Sequence, residues 1–302
     1  MDFFRQRLQP PTAPDHPVNV LLVLLAAVLV CGLAGRLLGE AVAMAMGSSL
    51  EELLAPDKTA WNPAERLALR ALNLLVHLST FALPAWLTGR LFYRPDTAAY
   101  FGLSKPPASA AAGQTVLFML AALPLAQATY WLNRQAPLPS WMRGAEKAQN
   151  EMVQAMLQMD NTGELLIALL VLAVVPALGE ELLFRGVVQQ QLSRWLRHTS
   201  PGIWLTAFLF SLVHWQFEGF LPRFLLGAAL GYLFHWSRNL WLPIIGHFCF
   251  NGIQVLGKWW MGDEIAILDE QQLTPPNLWL TLGALLLMAL TGTQLRKTGY
   301  PQ

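Results

Sequence analysis

The run Leu165-Leu-Ile-Ala-Leu-Leu-Val-Leu-Ala-Val-Val-Pro-Ala-Leu178 carries no charge, and Gly179-Glu-Glu-Leu-Leu-Phe-Arg-Gly186 follows it directly. An apolar stretch of that length reads as a membrane helix. Charge in lipid costs several kcal/mol, so carboxylates placed there need a partner and usually a purpose. On a helix turning about 100° per residue, Glu181 and Arg185 are four apart and share a face. Glu180 points roughly a quarter-turn away. This spacing lets Glu181 and Arg185 neutralise each other and leaves Glu180 for chemistry. The plain reading of the same residues is a buried structural ion pair with one spare carboxylate.

The rest of the chain has the same character. Of 302 residues, 54% are hydrophobic and 13% charged, against about a quarter charged in a soluble domain. The net charge of +1 argues against a nucleic-acid partner. Taking about 20 mostly apolar residues per crossing, eight segments qualify: 18–45, 67–93, 109–133, 162–192, 202–217, 219–236, 240–257 and 277–294. The fold expected is therefore all-α, a polytopic membrane protein of about eight transmembrane helices. Residues 1–302 form one transmembrane domain, with its functional core in 160–260. The first apolar run is too long for a signal-peptide core, so it reads as a retained helix. Cys31 and Cys249 read as buried free thiols. Arg36 and Glu40 are spaced to pair. Asn73 and His77 share a helix face and suit interhelical hydrogen bonding. Gly227-Ala-Ala-Leu-Gly231 is a GxxxG pattern that admits close helix approach. Residues 139–160 mix charge with spaced apolar positions and read as an amphipathic helix at the membrane surface. Lys and Arg favour the side holding the termini, which places both termini in the cytoplasm.

Two further helices carry histidines in short patterns: Phe210-Ser-Leu-Val-His214, and His247-Phe-Cys-Phe-Asn251. At 1.5 Å per residue, Glu180 and His214 each lie about 18 Å from the cytoplasmic ends of their helices. His247 and Asn251 lie about 10 and 17 Å in. Four polar groups at similar depth suit peptide hydrolysis. Glu180 takes a proton from water, His214 holds that water, and His247 and Asn251 donate to the developing oxyanion. They also suit a metal, with Glu180, His214 and His247 binding zinc beside an open position. No His-Glu-x-x-His pair is present. Residue types alone commit to no cofactor, and buried Glu and His also line ion paths in transporters.

These motifs resemble the CAAX-protease and bacteriocin-processing (Abi) family of intramembrane endopeptidases, relatives of the type II CAAX prenyl protease. Glu180-Glu181-Leu-Leu-Phe-Arg185 fits Glu-Glu-x-x-x-Arg, Phe210 to His214 fits Phe-x-x-x-His, and His247 to Asn251 fits His-x-x-x-Asn. The resemblance covers about residues 160–260. It implies that Glu180 and His214 activate water, that His247 and Asn251 form the oxyanion hole, and that Glu181 and Arg185 shape the site. It also implies a membrane protein or lipidated peptide as substrate, and a multi-pass protein of a bacterial cytoplasmic membrane. Members of the family have been described both as glutamate-dependent and as zinc-dependent. A non-catalytic immunity or scaffold protein is a further role within it.

Overall fold

The computed structural model describes residues 16–55, 60–262 and 275–298. It is 82% helical and has no strands among the described residues. Eight main helices follow the eight apolar segments. They are α1 (Pro17–Ala45), α3 (Pro63–Phe92), α5 (Ser109–Asn133), α7 (Thr162–Trp195), α8 (Thr199–Leu212), α9 (Phe220–Ser237), α10 (Trp241–Met261) and α11 (Leu278–Thr298). Three lesser helices join them: α2 (Leu50–Leu53), α4 (Thr97–Phe101) and the surface helix α6 (Ser140–Leu157). Helices α1, α3, α5, α7 and α11 are long and apolar enough to cross a membrane. The chain is a polytopic all-α membrane protein. Its flanks show why: α1 turns Leu22, Leu25, Leu29, Leu33 and Leu37 outward, a stripe that needs lipid as solvent.

Helix α7 occupies the middle, packed between α3 and α10. Helix α5 gathers α9, α10 and α11, while α1 lies outside α3. The core beside the site is formed by Ala85, Ala177, Phe184, Val187, Phe210 and Phe234.

Three π-helical segments interrupt the long helices, at Leu78–Ala82 in α3 and at Leu170–Val174 and Phe184–Gln189 in α7. Two of them precede a proline. Pro84 and Pro176 have no N–H, and their rings press on the carbonyl four residues back, so the helix widens before each. The carbonyl that Pro176 leaves without a donor is that of Leu172. Asn251 Nδ2 donates to it at 3.2 Å, and Asn73 Nδ2 donates to the adjacent Val171 carbonyl at 3.4 Å. Two neighbouring helices are thereby fixed to a break in α7.

Some expectations need correction. The fifth apolar segment ends as a helix at Leu212, five residues before the expected limit at 217, and His214 lies in the turn beyond it. Trp215 there has φ +53°, which no α-helix continues. Arg36 and Glu40 form no ion pair with each other among the described residues. Cys31 and Cys249 are free but only half-buried. The arginines at 5 and 7 lie outside the described residues.

Candidate active site

The Glu-Glu-x-x-x-Arg pattern folds as its spacing implies. Glu180, Glu181 and Arg185 are all buried. Arg185 Nη1 donates to Glu181 Oε1 at 2.7 Å. Its Nη2 donates to the Gly227 carbonyl at 2.7 Å, and its guanidinium lies 4.8 Å from the centre of the Phe210 ring. One turn on, Gln189 Nε2 donates to the Gly231 carbonyl at 3.0 Å. The GxxxG stripe thus does more than admit a neighbour. Its two glycine carbonyls receive two side chains of α7 that share the same four-residue spacing.

Phe210 and His214 show why their pattern has four-residue spacing. The last carbonyls of a helix lack backbone donors. His214 Nδ1 donates to the Phe210 carbonyl at 2.7 Å and so caps the end of α8. That bond fixes the tautomer and leaves Nε2 to face Glu180, whose Oε2 lies 3.8 Å away. The Phe210 ring meets the His247 ring edge-on, with centroids 5.9 Å apart.

On α10, His247 Nδ1 donates to Glu181 Oε1 at 2.8 Å, and its Nε2 lies 3.9 Å from Glu180 Oε2. Arg185, Glu181 and His247 therefore form a hydrogen-bonded chain whose last ring faces Glu180. Asn251, one turn further, gives its amide to the Leu172 carbonyl and none to Glu180 or the histidines.

A further group stands here that the sequence assigns to interhelical hydrogen bonding. His77, at the edge of the α3 π-segment, places Nδ1 3.5 Å from Glu180 Oε1. Its ring is stacked on Phe81, centroids 5.3 Å apart. Only the π-segments beside it and in α7 could have signalled this, and hydropathy does not show them. The structure thus brings Glu180, His77, His214 and His247 together. Its buried carboxylate is shared out, with Oε1 toward His77 and Oε2 toward the other two. Glu180 Oε2 and His77 Nδ1 have no hydrogen-bond partner among the described residues.

Zinc is the cofactor the donor set must be tested against. Donors sharing one tetrahedral zinc at bonds of ~2.1 Å stand about 3.4 Å apart. The Oε2 to Nε2 distances of 3.8 and 3.9 Å are longer. No group of three or more His, Cys, Asp or Glu among the described residues is drawn together as a metal site. As the side chains stand they do not fit a metal.

A buried Glu–His constellation within a helical membrane bundle defines the class, and comparison with known proteins refines it. Residues 162–253 match the family described as type II CAAX prenyl endopeptidase Rce1-like. That span holds all three motifs, in keeping with the resemblance read from them. Over 86 residues the chain is 29% identical to the uncharacterized protein YpbD of Bacillus subtilis (strain 168), an alignment covering 27% of this chain. The match spans 41% of the length of that curated relative. No solved structure matches the chain.

Proposed function

We propose that the protein is an intramembrane endopeptidase that hydrolyses a peptide bond in a membrane-associated protein or lipidated peptide, with Glu180 as general base. The observation that carries this reading is the pair of gaps between Glu180 Oε2 and the two Nε2 atoms, 3.8 and 3.9 Å. Such gaps are too wide for a hydrogen bond and narrow enough for one bridging water.

The tautomer of His214 sets its role. His214 donates through Nδ1, so the lone pair on its Nε2 accepts one O–H of the water, and Glu180 Oε2 accepts the other. The water's own lone pair then faces the substrate carbonyl. As the oxygen adds to the carbonyl carbon, Glu180 takes the proton. His77 stands beside the far oxygen of the carboxylate and, by drawing Oε1 toward itself, favours Oε2 turned to the water. His247, acting as an imidazolium whose Nδ1–H is held by the Glu181 carboxylate, donates its Nε2–H to the oxyanion, joined by the second N–H of the Asn251 amide. Glu180 passes its proton to the leaving amine, and the C–N bond breaks.

The test is cleavage of a membrane-anchored reporter peptide by purified protein in lipid nanodiscs, with and without a chelator. Cleavage that survives chelation supports the glutamate-based reading. Loss on chelation with recovery on added zinc would replace it with the metal-dependent one. A protein that cleaves no membrane-anchored peptide would leave the scaffold role.

A further inference from the structure

His214 is set by a short turn, and that turn is held from outside the helices that carry the motifs. We propose that Glu146, on the surface helix α6, is a positioning residue that clamps the turn over residues 213–219 and through it sets the height of His214 over Glu180. The proposal rests on the reading of Glu180 and His214 as the water-activating pair.

The turn cannot hold itself. Helix α8 stops at Leu212, and Trp215 adopts φ +53°, a conformation disfavoured for a bulky side chain and kept only where the surroundings impose it. Glu146 supplies part of that constraint, from outside the helices that carry the motifs. Its Oε2 accepts the Phe217 N–H and, at 3.1 Å, the Glu218 N–H. A carboxylate bonded to two successive backbone N–H groups is a strong and directional clamp. Glu146 is 5% exposed, on a helix where Arg143 and Lys147 are exposed and Glu151 is half-buried. Burial pushes its carboxyl up from the ordinary range, and the Glu218 and Phe217 N–H groups pull it back toward the charged form.

Neighbouring contacts brace the same turn. Gln216 Nε2 donates to Asn150 Oδ1 of α6 at 3.1 Å, and Trp141 of α6 meets the Phe217 ring edge-on at 5.7 Å. Arg223 holds the Gln216 carbonyl, and Asn133 accepts the Leu221 N–H at 2.9 Å while donating to the Phe217 carbonyl at 2.9 Å. The other end of α6 is tied to Arg70, whose Nε donates to the Met156 carbonyl at 3.0 Å. Helix α6 therefore straps the His214 turn to α3, the helix that carries His77.

The experiment compares wild type, Glu146→Ala and Glu146→Gln in nanodiscs, with Lys147→Ala, an exposed neighbour on α6, as control. Hydrogen exchange of the 213–219 segment reads the clamp, and steady-state cleavage of the membrane-anchored reporter reads its consequence. In Glu146→Ala, exchange over 213–219 quickens while the other helices keep their protection. There kcat falls about tenfold to a hundredfold with KM little changed, because a misplacement of about 1 Å costs that much. Glu146→Gln keeps a carbonyl acceptor and recovers most of kcat. Unchanged exchange in Glu146→Ala would overturn the clamp. Quickened exchange with unaltered kcat, or a kcat loss that glutamine does not restore, would overturn the positioning role. If the wild type cleaves no reporter, the endopeptidase reading fails while the exchange result still decides the clamp.

Discussion

Glu180 presents its two oxygens to different imidazoles, so the residues around it separate by which oxygen they serve. His77 faces Oε1 at 3.5 Å, while His214 and His247 face Oε2. His77→Ala therefore slows cleavage by about tenfold, ~1.4 kcal/mol of transition-state stabilisation, and leaves folding intact. Rate measurements beside a thermal unfolding scan check this, and an unaltered rate would return His77 to packing. Glu181 behaves differently. It holds Arg185 and His247 together in a fully buried place, and Glu181→Gln strands a guanidinium there. Breaking one side of a buried pair costs about 3–5 kcal/mol, so that variant unfolds at markedly lower temperature. Most of this site was legible because its spacings are local: Glu181 with Arg185 and Phe210 with His214 each meet across one helical turn. His77 and Glu146 were not, because their partners are distant in sequence and their own surroundings are ordinary.

Among the elements, helix identity was plain and helix ends were not. Hydropathy located all eight main helices, since lipid-facing surface must be apolar along its whole length. It carried the fifth through 217 because Val213, Trp215 and Phe217 continue the apolar run. The end at Leu212 is set instead by the His214 cap and the left-handed Trp215. The π-segments in α3 and α7 that precede Pro84 and Pro176 were implicit in those prolines, though their use as acceptors for Asn73 and Asn251 was not. The α7–α9 contact is open to direct test. A Cβ placed on Gly231 would stand 2.8 Å from Ile203 Cγ2 and from Gln189 Oε1. Gly231→Ala thus pushes α9 from α7 and α8 and frees the Gln189 amide. The expected loss is about 1–3 kcal/mol of stability, read by thermal unfolding in detergent, with a lower cleavage rate. Unchanged stability would show that the crossing is looser than these distances.

For the whole molecule, the path of the chain decides where the termini lie. Helix α8 has 14 residues, about 21 Å of helix, short of a hydrocarbon core about 30 Å thick. Joined to α9 by the 213–219 turn, it returns the chain to the side it left, whether or not the pair crosses fully. With α10 crossing as well as the five long apolar helices, both ends fall on one face, and we propose from the Lys and Arg distribution that this face is the cytoplasmic one. Fluorescent-protein fusions at either end should therefore both fluoresce, and a dark C-terminal fusion with a bright N-terminal one would break the parity. Residues 162–253 carry the family match and the motifs, while α3 and α6, outside it, supply His77 and Glu146. The decisive measurement is single-turnover cleavage of a membrane-anchored peptide by folded wild-type and Glu180→Gln protein. Loss of the base predicts a fall of about 10²–10⁴-fold, whereas a rate within a few-fold of wild type would contradict water activation by Glu180.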